Sequence, residues 1–175
     1  ERIAFETGTD FPLEDLNIHP FRITHDTADP VGFLITDKDN SIAYCTDTGK
    51  VTTLIQQRLR HCQGLILEAN YDPLMLMEGP YPMHIKQRVR SNQGHLANGD
   101  TARFLAELID SPLQQVVLAH LSETNNQPEL AHARIHQEIA QLKPKFSLEL
   151  ARQDRPTPLF ALPHTEVSIH KHSRY

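Results

Sequence analysis

Three short segments carry a histidine or an aspartate just beyond an apolar stretch that has the pattern of a strand. They are Thr24-His25-Asp26, Cys45-Thr46-Asp47 and Ala119-His120-Leu121. Histidine nitrogens and carboxylate oxygens are ligands for divalent ions such as zinc or manganese. An aspartate between two such ions can bridge them, and the pair can then act on both oxygens of a hydrolytic displacement. The three segments together predict a metal site built from His25, Asp47 and His120.

Each of these residues also has an ordinary interpretation when it is considered alone. A histidine after a strand is commonly an exposed loop residue, and Asp47 before Thr48-Gly49 commonly caps a turn or a helix. The segments are too far apart in sequence to form a local motif. Because sites in open α/β sheets form where strand ends meet loops, the preceding elements decide whether these residues meet.

Predicted strands and helices alternate along most of the chain, which indicates the α/β class. The predicted strands are residues 15–24, 31–36, 41–46, 64–68, 115–119 and 166–169, with a hairpin turn at 37–40. The predicted helices are residues 51–60, a helix that begins at Asp72-Pro73, residues 98–108 with Asn98 as the cap, and residues 128–142. Paired strands come first and single buried strands follow, so we expect a mixed sheet.

The composition excludes several classes of protein. The chain has 175 residues, the size of one domain, and a net charge of -5, so overall charge cannot bind it to nucleic acid. No apolar run approaches the roughly 20 residues that a bilayer crossing needs, which predicts no membrane association. The two cysteines form no C-x-x-C pair, and residues 1–10 contain no apolar leader segment, which together indicate the cytoplasm.

One stretch is basic although the chain as a whole is acidic. Between Glu78 and Asp100 the sequence contains Lys86, Arg88 and Arg90 and no acidic residue, and it leads into His95. Arginines facing a site are typical phosphate contacts, which predicts that Arg88 and Arg90 bind substrate. A solvated helix face is the alternative interpretation.

Five segments, in this order, resemble the motifs of the metallo-β-lactamase superfamily. They are FRITHDTADPVGFLI (21–35), YCTDTG (44–49), LILEANYD (65–72), SNQGHLAN (91–98) and VVLAHLSETNN (116–126). The resemblance runs from about Phe21 to Leu142 and is greatest to the YycJ/VicX-like metallohydrolases, which are relatives of RNase Z.

The resemblance implies a role for each matching residue. His25 would bind one metal ion, His120 a second, and Asp47 would bridge the two, so that two divalent ions (zinc or manganese) are expected. His95 would act with Asp47 in catalysis, near the scissile phosphate. In RNase Z relatives the corresponding loop is of the Gly-His-Ser-Thr type, and here Leu96-Ala97 replace the Ser-Thr pair.

Further residues are expected around this centre. Asn98, from the same loop as His95, is predicted to bind substrate with Arg88 and Arg90. Asp26 and Asp29 are predicted to orient the ligands from behind, because a metal-bound histidine usually donates its other N–H to a carboxylate or a carbonyl. His132 and His136 lie four apart on a helix, but no third ligand accompanies them, and they are interpreted as surface residues.

The first metal motif of the superfamily, H-x-H-x-D-H, does not occur in this sequence. We therefore expect residues 1–175 to be the C-terminal half of an αββα sandwich with a mixed sheet, without the half that supplies the other ligands. Half of a two-sheet sandwich would expose one sheet face. The expected partner is the missing N-terminal half or a second copy of the chain.

The predicted function is metal-dependent hydrolysis of nucleic-acid phosphodiesters by a two-metal-activated water. Two alternatives remain open at this point. The chain could be a non-catalytic half-domain that binds a partner chain, or the parent enzyme could hydrolyse small thioesters or lactones, because one fold supports many reactions.

Overall fold

The computed structural model describes residues 4–162. Within these residues the strands are β1 (Phe11–Leu13), β2 (Leu16–Arg22), β3 (Val31–Thr36), β4 (Ser41–Cys45), β5 (Gly64–Glu68), β6 (Gln115–Ala119) and β7 (Ser147–Leu150). The helices are α1 (Thr53–Leu59), α2 (Pro73–Glu78), α3 (Met83–Val89), α4 (Asn98–Glu107) and α5 (Pro128–Ile139), and a 3-10 turn at Ala140–Leu142 follows α5. No helix among them has the length and apolar character that a membrane crossing needs.

The strands form one mixed sheet in which their spatial order is the order along the chain. β1 to β4 pair antiparallel, and β4 to β7 pair parallel. Parallel neighbours need a crossover connection, which α1, the α2–α4 segment and α5 provide. The predicted α/β class and mixed sheet are confirmed.

Local sequence explains where the main elements begin. β5 (GLILE) and β6 (QVVLA) are mostly apolar runs, and all of their residues except the half-buried Ile66 are buried. Thr52 caps α1 by accepting a hydrogen bond from the Ile55 N–H at 3.2 Å. Asp72 caps α2 by accepting from the Leu74 and Met75 N–H groups at 2.9 and 3.0 Å, and Pro73 occupies the first turn.

The structure differs from the expected elements in several places. Asn98 is the first residue of α4 rather than its cap, and no side chain caps that helix. The short elements β1, α3 and β7 were not predicted, because three to seven residues between turns carry little periodicity. Pro20 is tolerated within β2 because β1 pairs only with residues 16–18, which leaves Pro20 on an edge. The strand expected at residues 166–169 lies outside the described residues.

The two faces of the sheet are covered very differently. On one face α1, α4 and α5 pack against the strands, and the buried core there includes Ile55, Leu65, Leu105, Leu118 and Ile135. The other face, here called the open face, carries Phe33, Ile35, Ile42, Tyr44 and Ile66, which are half-buried or exposed. Tyr44 lies opposite both Phe33 and Ile66 and is 42% exposed. The Phe5 ring packs edge-on against Phe33 with a centroid distance of 5.7 Å, so the described chain covers this apolar face only in part.

Candidate metal centre

The residues predicted to bind metal converge on one edge of the sheet. β2, β4, β5 and β6 all run in the same direction, so their carboxyl ends meet at that edge. His25 follows β2, Asp47 follows β4 and His120 follows β6. Asp47 and His120 both have a φ of 56°. Non-glycine residues rarely adopt this left-handed conformation, and such residues cluster at functional sites.

Asp47 lies between the two predicted histidine ligands. Its Oδ1 atom is 3.6 Å from Nε2 of His25 and 3.7 Å from Nε2 of His120. The ring of His95 lies beside both histidines, with centroid distances of 5.1 Å to His25 and 5.2 Å to His120. The sequence therefore names four residues that the fold brings into one cluster, although their roles as ligands and catalysts stay predictions.

The remaining ring nitrogens of the three histidines are held by acceptors. His25 Nδ1 donates to the Gly94 carbonyl oxygen at 3.1 Å, because a carbonyl cannot act as the donor. The Nδ1 atoms of His95 and His120 both donate to Glu68 Oε1 at 2.7 Å. These bonds leave the Nε2 lone pairs of neutral His25, His95 and His120 free for a ligand, which is the usual arrangement of metal-binding histidines.

Glu68 is the residue that organises the site, and the sequence analysis assigns it no role. It ends β5, and its side chain is fully buried. Its Oε2 atom accepts from the Thr48 N–H at 3.0 Å and from the Leu96 N–H at 3.3 Å. Burial raises the pKa of Glu68, but the hydrogen bonds from His120 and His95 hold it below its ordinary value. A carboxylate that ends a continuous apolar strand was the sequence signal for such a group.

Glu68 also affects the electrostatics of its partners. The hydrogen bond to Glu68 raises the pKa of His120, although burial lowers it in part. A carboxylate that accepts the Nδ1 proton makes the opposite ring nitrogen a better electron donor. The buried anion thus prepares His120 to bind a cation.

The donor set fits a divalent metal ion. His25, Asp47 and His95 form one group, with their ligand atoms within 4.8 Å of one another. Glu68, His95 and His120 form another group of the same size, but there Glu68 already accepts hydrogen bonds from both histidines. Histidine and carboxylate donors of this kind suit zinc and other borderline divalent ions. Since Asp47 lies near both His25 and His120, the described residues could contribute to one or two adjacent ions.

Two glycines allow the loops of the site to approach each other. A Cβ at Gly49 would lie 2.4 Å from the Ser91 carbonyl oxygen, and one at Gly94 would lie 2.2 Å from the Val89 carbonyl oxygen. Both obstacles are backbone atoms, which cannot rotate away. Glycine is therefore required at both positions to keep the Gly94 carbonyl beside His25 and to orient His95.

Arg88 and Asp26 lie at the site but interact with each other. The Arg88 Nη2 donates to Asp26 Oδ1 at 3.0 Å, and Nε contacts the second carboxylate oxygen. This contact lowers the pKa of Asp26. Asp26 Oδ1 is 3.7 Å from His25 Nε2, on the metal-facing side of the ring. The acceptor behind His25 is the Gly94 carbonyl rather than the carboxylate that was predicted there.

The geometry gives no support to the predicted roles of Asp29 and Asn98. Asp29 accepts hydrogen bonds from Thr7 at 2.7 Å and from Arg22 at 3.0 Å, away from the histidines. Asn98 is fully buried and exchanges amide hydrogen bonds of 2.9 Å with Asn126. Sequence reasoning could not detect these partners because they are 7 to 28 residues away.

The histidine cluster opens into a cavity of about 480 Å³. Tyr81, Ile85 and Arg88 form the wall contributed by α3 and the turn before it. Arg90 lines a neighbouring cavity instead. The basic stretch is thus divided between two cavities, and it is neither a single wall nor only a solvated helix face.

The family model described as the Beta-lactamase superfamily domain matches residues 1–121. Exodeoxyribonuclease WalJ of Streptococcus pneumoniae serotype 2 is 32% identical over 167 residues, which cover 95% of this chain and 62% of that protein. Exodeoxyribonuclease YycJ of Bacillus anthracis is 32% identical over 137 residues, covering 78% of this chain and 52% of that protein. The chain therefore spans less than two thirds of the length of these curated relatives.

Solved structures show the same fold at low sequence identity. The metallo-β-lactamase fold protein YhfI from Bacillus subtilis has a TM-score of 0.57 and 17% identity, covering 86% of this chain and 52% of its own. Zn(2+)-bound PqqB from Methylobacterium extorquens has a TM-score of 0.58 and 17% identity, covering 91% of this chain and 56% of its own. At this level of identity the likeness concerns the fold alone.

Proposed function

The chain belongs to the β-lactamase superfamily, as its motifs predicted, and from this premise we propose that it forms part of a metal-dependent nuclease active site. The observation that carries the proposal is the position of Asp47. One of its oxygens is 3.6 and 3.7 Å from the Nε2 atoms of two histidines whose Nδ1 atoms are already bonded. A shared carboxylate between two oriented imidazoles is suited to holding a pair of divalent ions.

Each residue then has a defined task. His25 would hold one ion, His120 would hold the other, and Asp47 could contribute a carboxylate oxygen to both. Zinc or manganese bound there would lower the pKa of water towards neutrality and so supply the nucleophile. Glu68 keeps the His120 ring oriented and its Nε2 lone pair directed into the cavity.

His95 is the proposed proton donor to the leaving oxygen. Its Nδ1 is fixed on Glu68, so its Nε2 is the ring atom that can exchange a proton with substrate. Arg88, on the cavity wall, is suited to contact a phosphate oxygen, provided that it exchanges Asp26 for the substrate.

DNA is the proposed substrate. Two relatives at 32% identity carry the name exodeoxyribonuclease. The matches to them cover 95% and 78% of this chain. Phosphodiesters suit a cavity that combines the histidine cluster with an arginine. Hydrolysis of small thioesters or lactones is the alternative outcome of a substrate test.

The proposed location is the cytoplasm, because two buried free cysteines fit a reducing compartment.

The open face supports a proposal on domain organisation. Its apolar row of Phe33, Tyr44 and Ile66 needs a cover, because a contiguous exposed apolar surface is characteristic of an interface. Residues 1–175 are proposed to be the C-terminal part of one domain, whose other part supplies a second sheet and further ligands. A second copy of the chain on this face, or a non-catalytic partner, is the competing outcome.

The test uses the intact protein and end-labelled DNA strands. Mutation of a residue that only hydrogen-bonds a metal ligand usually reduces activity about 10- to 100-fold. Asp47→Asn should reduce the rate of cleavage by more than this, because Asp47 is proposed to be a ligand itself. Asp110→Asn is the matched control, because Asp110 is an exposed carboxylate that lines neither cavity. Undiminished cleavage by Asp47→Asn would overturn the proposal.

Metal content gives an independent measurement. Elemental analysis after dialysis should find about two ions per molecule, falling in His120→Ala and unchanged in Asp110→Asn. A metal-free but folded intact protein would favour the non-catalytic alternative. Cleavage of thioesters or lactones in place of DNA would keep the metal centre and replace the substrate.

A further inference from the structure

A second cavity, of about 430 Å³, adjoins the metal centre across His95. We call it the basic cavity, because its lining includes Lys50, Arg90 and Arg103. These cations come from three separate parts of the fold, namely the loop after β4, the end of α3 and the middle of α4. His95 is the residue that lines both this cavity and the metal centre.

The charges of the basic cavity do not cancel. Its two acids already have partners, since Asp100 is paired with Arg103 and Glu107 accepts a hydrogen bond from Gln56 at 2.9 Å. Within residues 4–162 neither Lys50 nor Arg90 makes a salt bridge to a carboxylate. The Arg90 Nη1 donates to the Met77 sulfur at 3.3 Å. The lining of the cavity therefore carries three cations and two carboxylates, a net charge of +1, and Lys50 and Arg90 are its cations without a carboxylate partner among the described residues.

Both cations extend from a fixed backbone. The Lys50 N–H donates to Thr24 Oγ1 at 3.1 Å, and its carbonyl accepts from Thr24 and Thr48 hydroxyls at 3.1 and 3.0 Å. Thr24 immediately precedes His25, so Lys50 is tied directly to the metal edge. The Arg90 N–H donates to the Lys86 carbonyl at 3.1 Å at the end of α3. Cations on a rigid backbone bind an anion with a smaller loss of entropy than cations on a mobile loop.

We propose that the basic cavity binds the phosphate next to the scissile phosphate, so that the substrate strand crosses over His95. This inference rests on the proposed nuclease function. One imidazole ring separates the two cavities, which suits phosphates of neighbouring nucleotides. An arginine can bind a phosphate through two parallel N–H groups, and a lysine supplies a compact point charge. The proposed ligand is therefore a single strand of nucleic acid that has at least one further phosphate next to the scissile phosphate.

The experiment compares two double variants of the intact, metal-loaded protein. Lys50→Gln with Arg90→Gln removes the two cations from the basic cavity. Lys38→Gln with Arg60→Gln removes the same charge from exposed positions that line neither cavity. All four side chains are exposed, so both variants should unfold at the urea concentration of the wild type.

Two substrates distinguish binding in the two cavities. Short oligothymidylate reaches both cavities, whereas the p-nitrophenyl ester of thymidine 5′-phosphate has no second phosphate. The ratio of KM for the oligonucleotide to KM for the ester should rise about tenfold in the Lys50/Arg90 variant, with kcat for the oligonucleotide within about twofold. The slope of log affinity against log salt concentration should fall by about 0.7 per lost contact.

The outcomes separate this inference from the function on which it rests. A wild-type protein that cleaves neither substrate would contradict the proposed function. A wild-type protein that cleaves both, with equal KM ratios and salt slopes in the two double variants, would overturn the basic cavity alone. Oligothymidylate anisotropy in EDTA gives the same comparison of the double variants without turnover.

Discussion

Glu68 and Asp10 both accept a hydrogen bond from the Nδ1 atom of a histidine, yet they do so in opposite surroundings. Glu68 is fully buried at the end of β5 and bonds two histidines and two backbone N–H groups. The Asp10 side chain is 55% exposed and bonds His19 and Asn17 on the β1–β2 hairpin. A carboxylate–histidine pair therefore lies in the candidate site in one region and is a surface contact in the other.

The direction of the strands explains the difference. Glu68 ends β5, which lies between its parallel neighbours β4 and β6, so the loops after β4 and β6 close over it from both sides. Asp10 precedes β1, at the edge of the antiparallel region, where only one neighbouring strand is present. Removal of one partner from a buried charged pair costs far more than removal from an exposed pair, because water solvates the remaining exposed partner.

Removal of the buried carboxylate should have the largest effect. Glu68→Ala leaves two imidazole N–H groups and two backbone N–H groups without an acceptor, and it should destabilise the metal-free protein by about 3–5 kcal/mol. It should also weaken metal binding about 10- to 100-fold, because His120 loses its orienting partner. Asp10→Ala is the matched control and should cost under about 1 kcal/mol.

The measurements are urea unfolding and metal titration of both variants. Equal losses of stability in Glu68→Ala and Asp10→Ala would contradict the role assigned to burial.

Two glycines extend the comparison to the backbone. Gly94→Ala should destabilise the protein by about 1–3 kcal/mol, because its Cβ would meet backbone oxygens at 2.2 and 2.3 Å. The displaced loop carries His95, so DNA cleavage should fall as well. Gly8, near the β1–β2 hairpin, has a φ of +89° and nothing within 4 Å of an added Cβ. Gly8→Ala should cost about 1 kcal/mol through its backbone conformation and leave cleavage intact. Normal cleavage by Gly94→Ala would show that the loop can adjust.

Acid should reduce the stability that both carboxylates contribute, and the reduction should be larger for Glu68 than for Asp10. The pKa values of Glu68 and Asp10 both lie below their ordinary values, in Asp10 through the hydrogen bonds from Asn17 and His19. Each therefore contributes stability that is complete above an unfolded pKa of about 4 and is lost as the pH falls through the lower folded value. In EDTA, the difference in urea midpoint between wild type and Glu68→Gln should shrink from pH 6 to pH 2. The corresponding difference for Asp10→Asn should stay small throughout.

The smallest effect concerns the two buried cysteines, Cys45 at the end of β4 and Cys62 just before β5. Burial raises the pKa of Cys62 to about 12, and burial together with the charge of Glu68 raises that of Cys45. Neither thiol should react with a disulfide reagent in the native protein at neutral pH, and both should react in urea. Faster labelling in Glu68→Ala than in Asp10→Ala would report the loosening of this region, whereas fast labelling of the native wild type would contradict its tight packing.

Strong local signals made part of the fold predictable. β5 and β6 were predicted with the boundaries that the structure has, because a continuous apolar run between polar residues leaves little choice of ends. The helix at Asp72-Pro73 was predicted from its cap and proline, and both act as expected. The helix α3 was missed because its seven residues lie between a proline-rich turn and a glycine-containing loop, without a clear apolar period.

The site was predictable to a similar extent. His25, Asp47, His95 and His120 were selected as residue types after strands or by family resemblance, and they form one cluster in the fold. The predicted orienting carboxylates were chosen from neighbours in sequence, Asp26 and Asp29. The observed acceptors, Glu68 and the Gly94 carbonyl, are 27 to 69 residues away from the histidines that they hold.

The sequence by itself determined which chemical groups end the strands, because an apolar run, a polar residue and a turn are local properties. It also determined the boundaries of β5 and β6, since each is an apolar run between polar residues. Only the tertiary structure decided that Asp47, Glu68 and His120 meet. That outcome depends on β4, β5 and β6 being parallel neighbours, which is fixed by backbone hydrogen bonds and side-chain packing between segments that are distant in the chain.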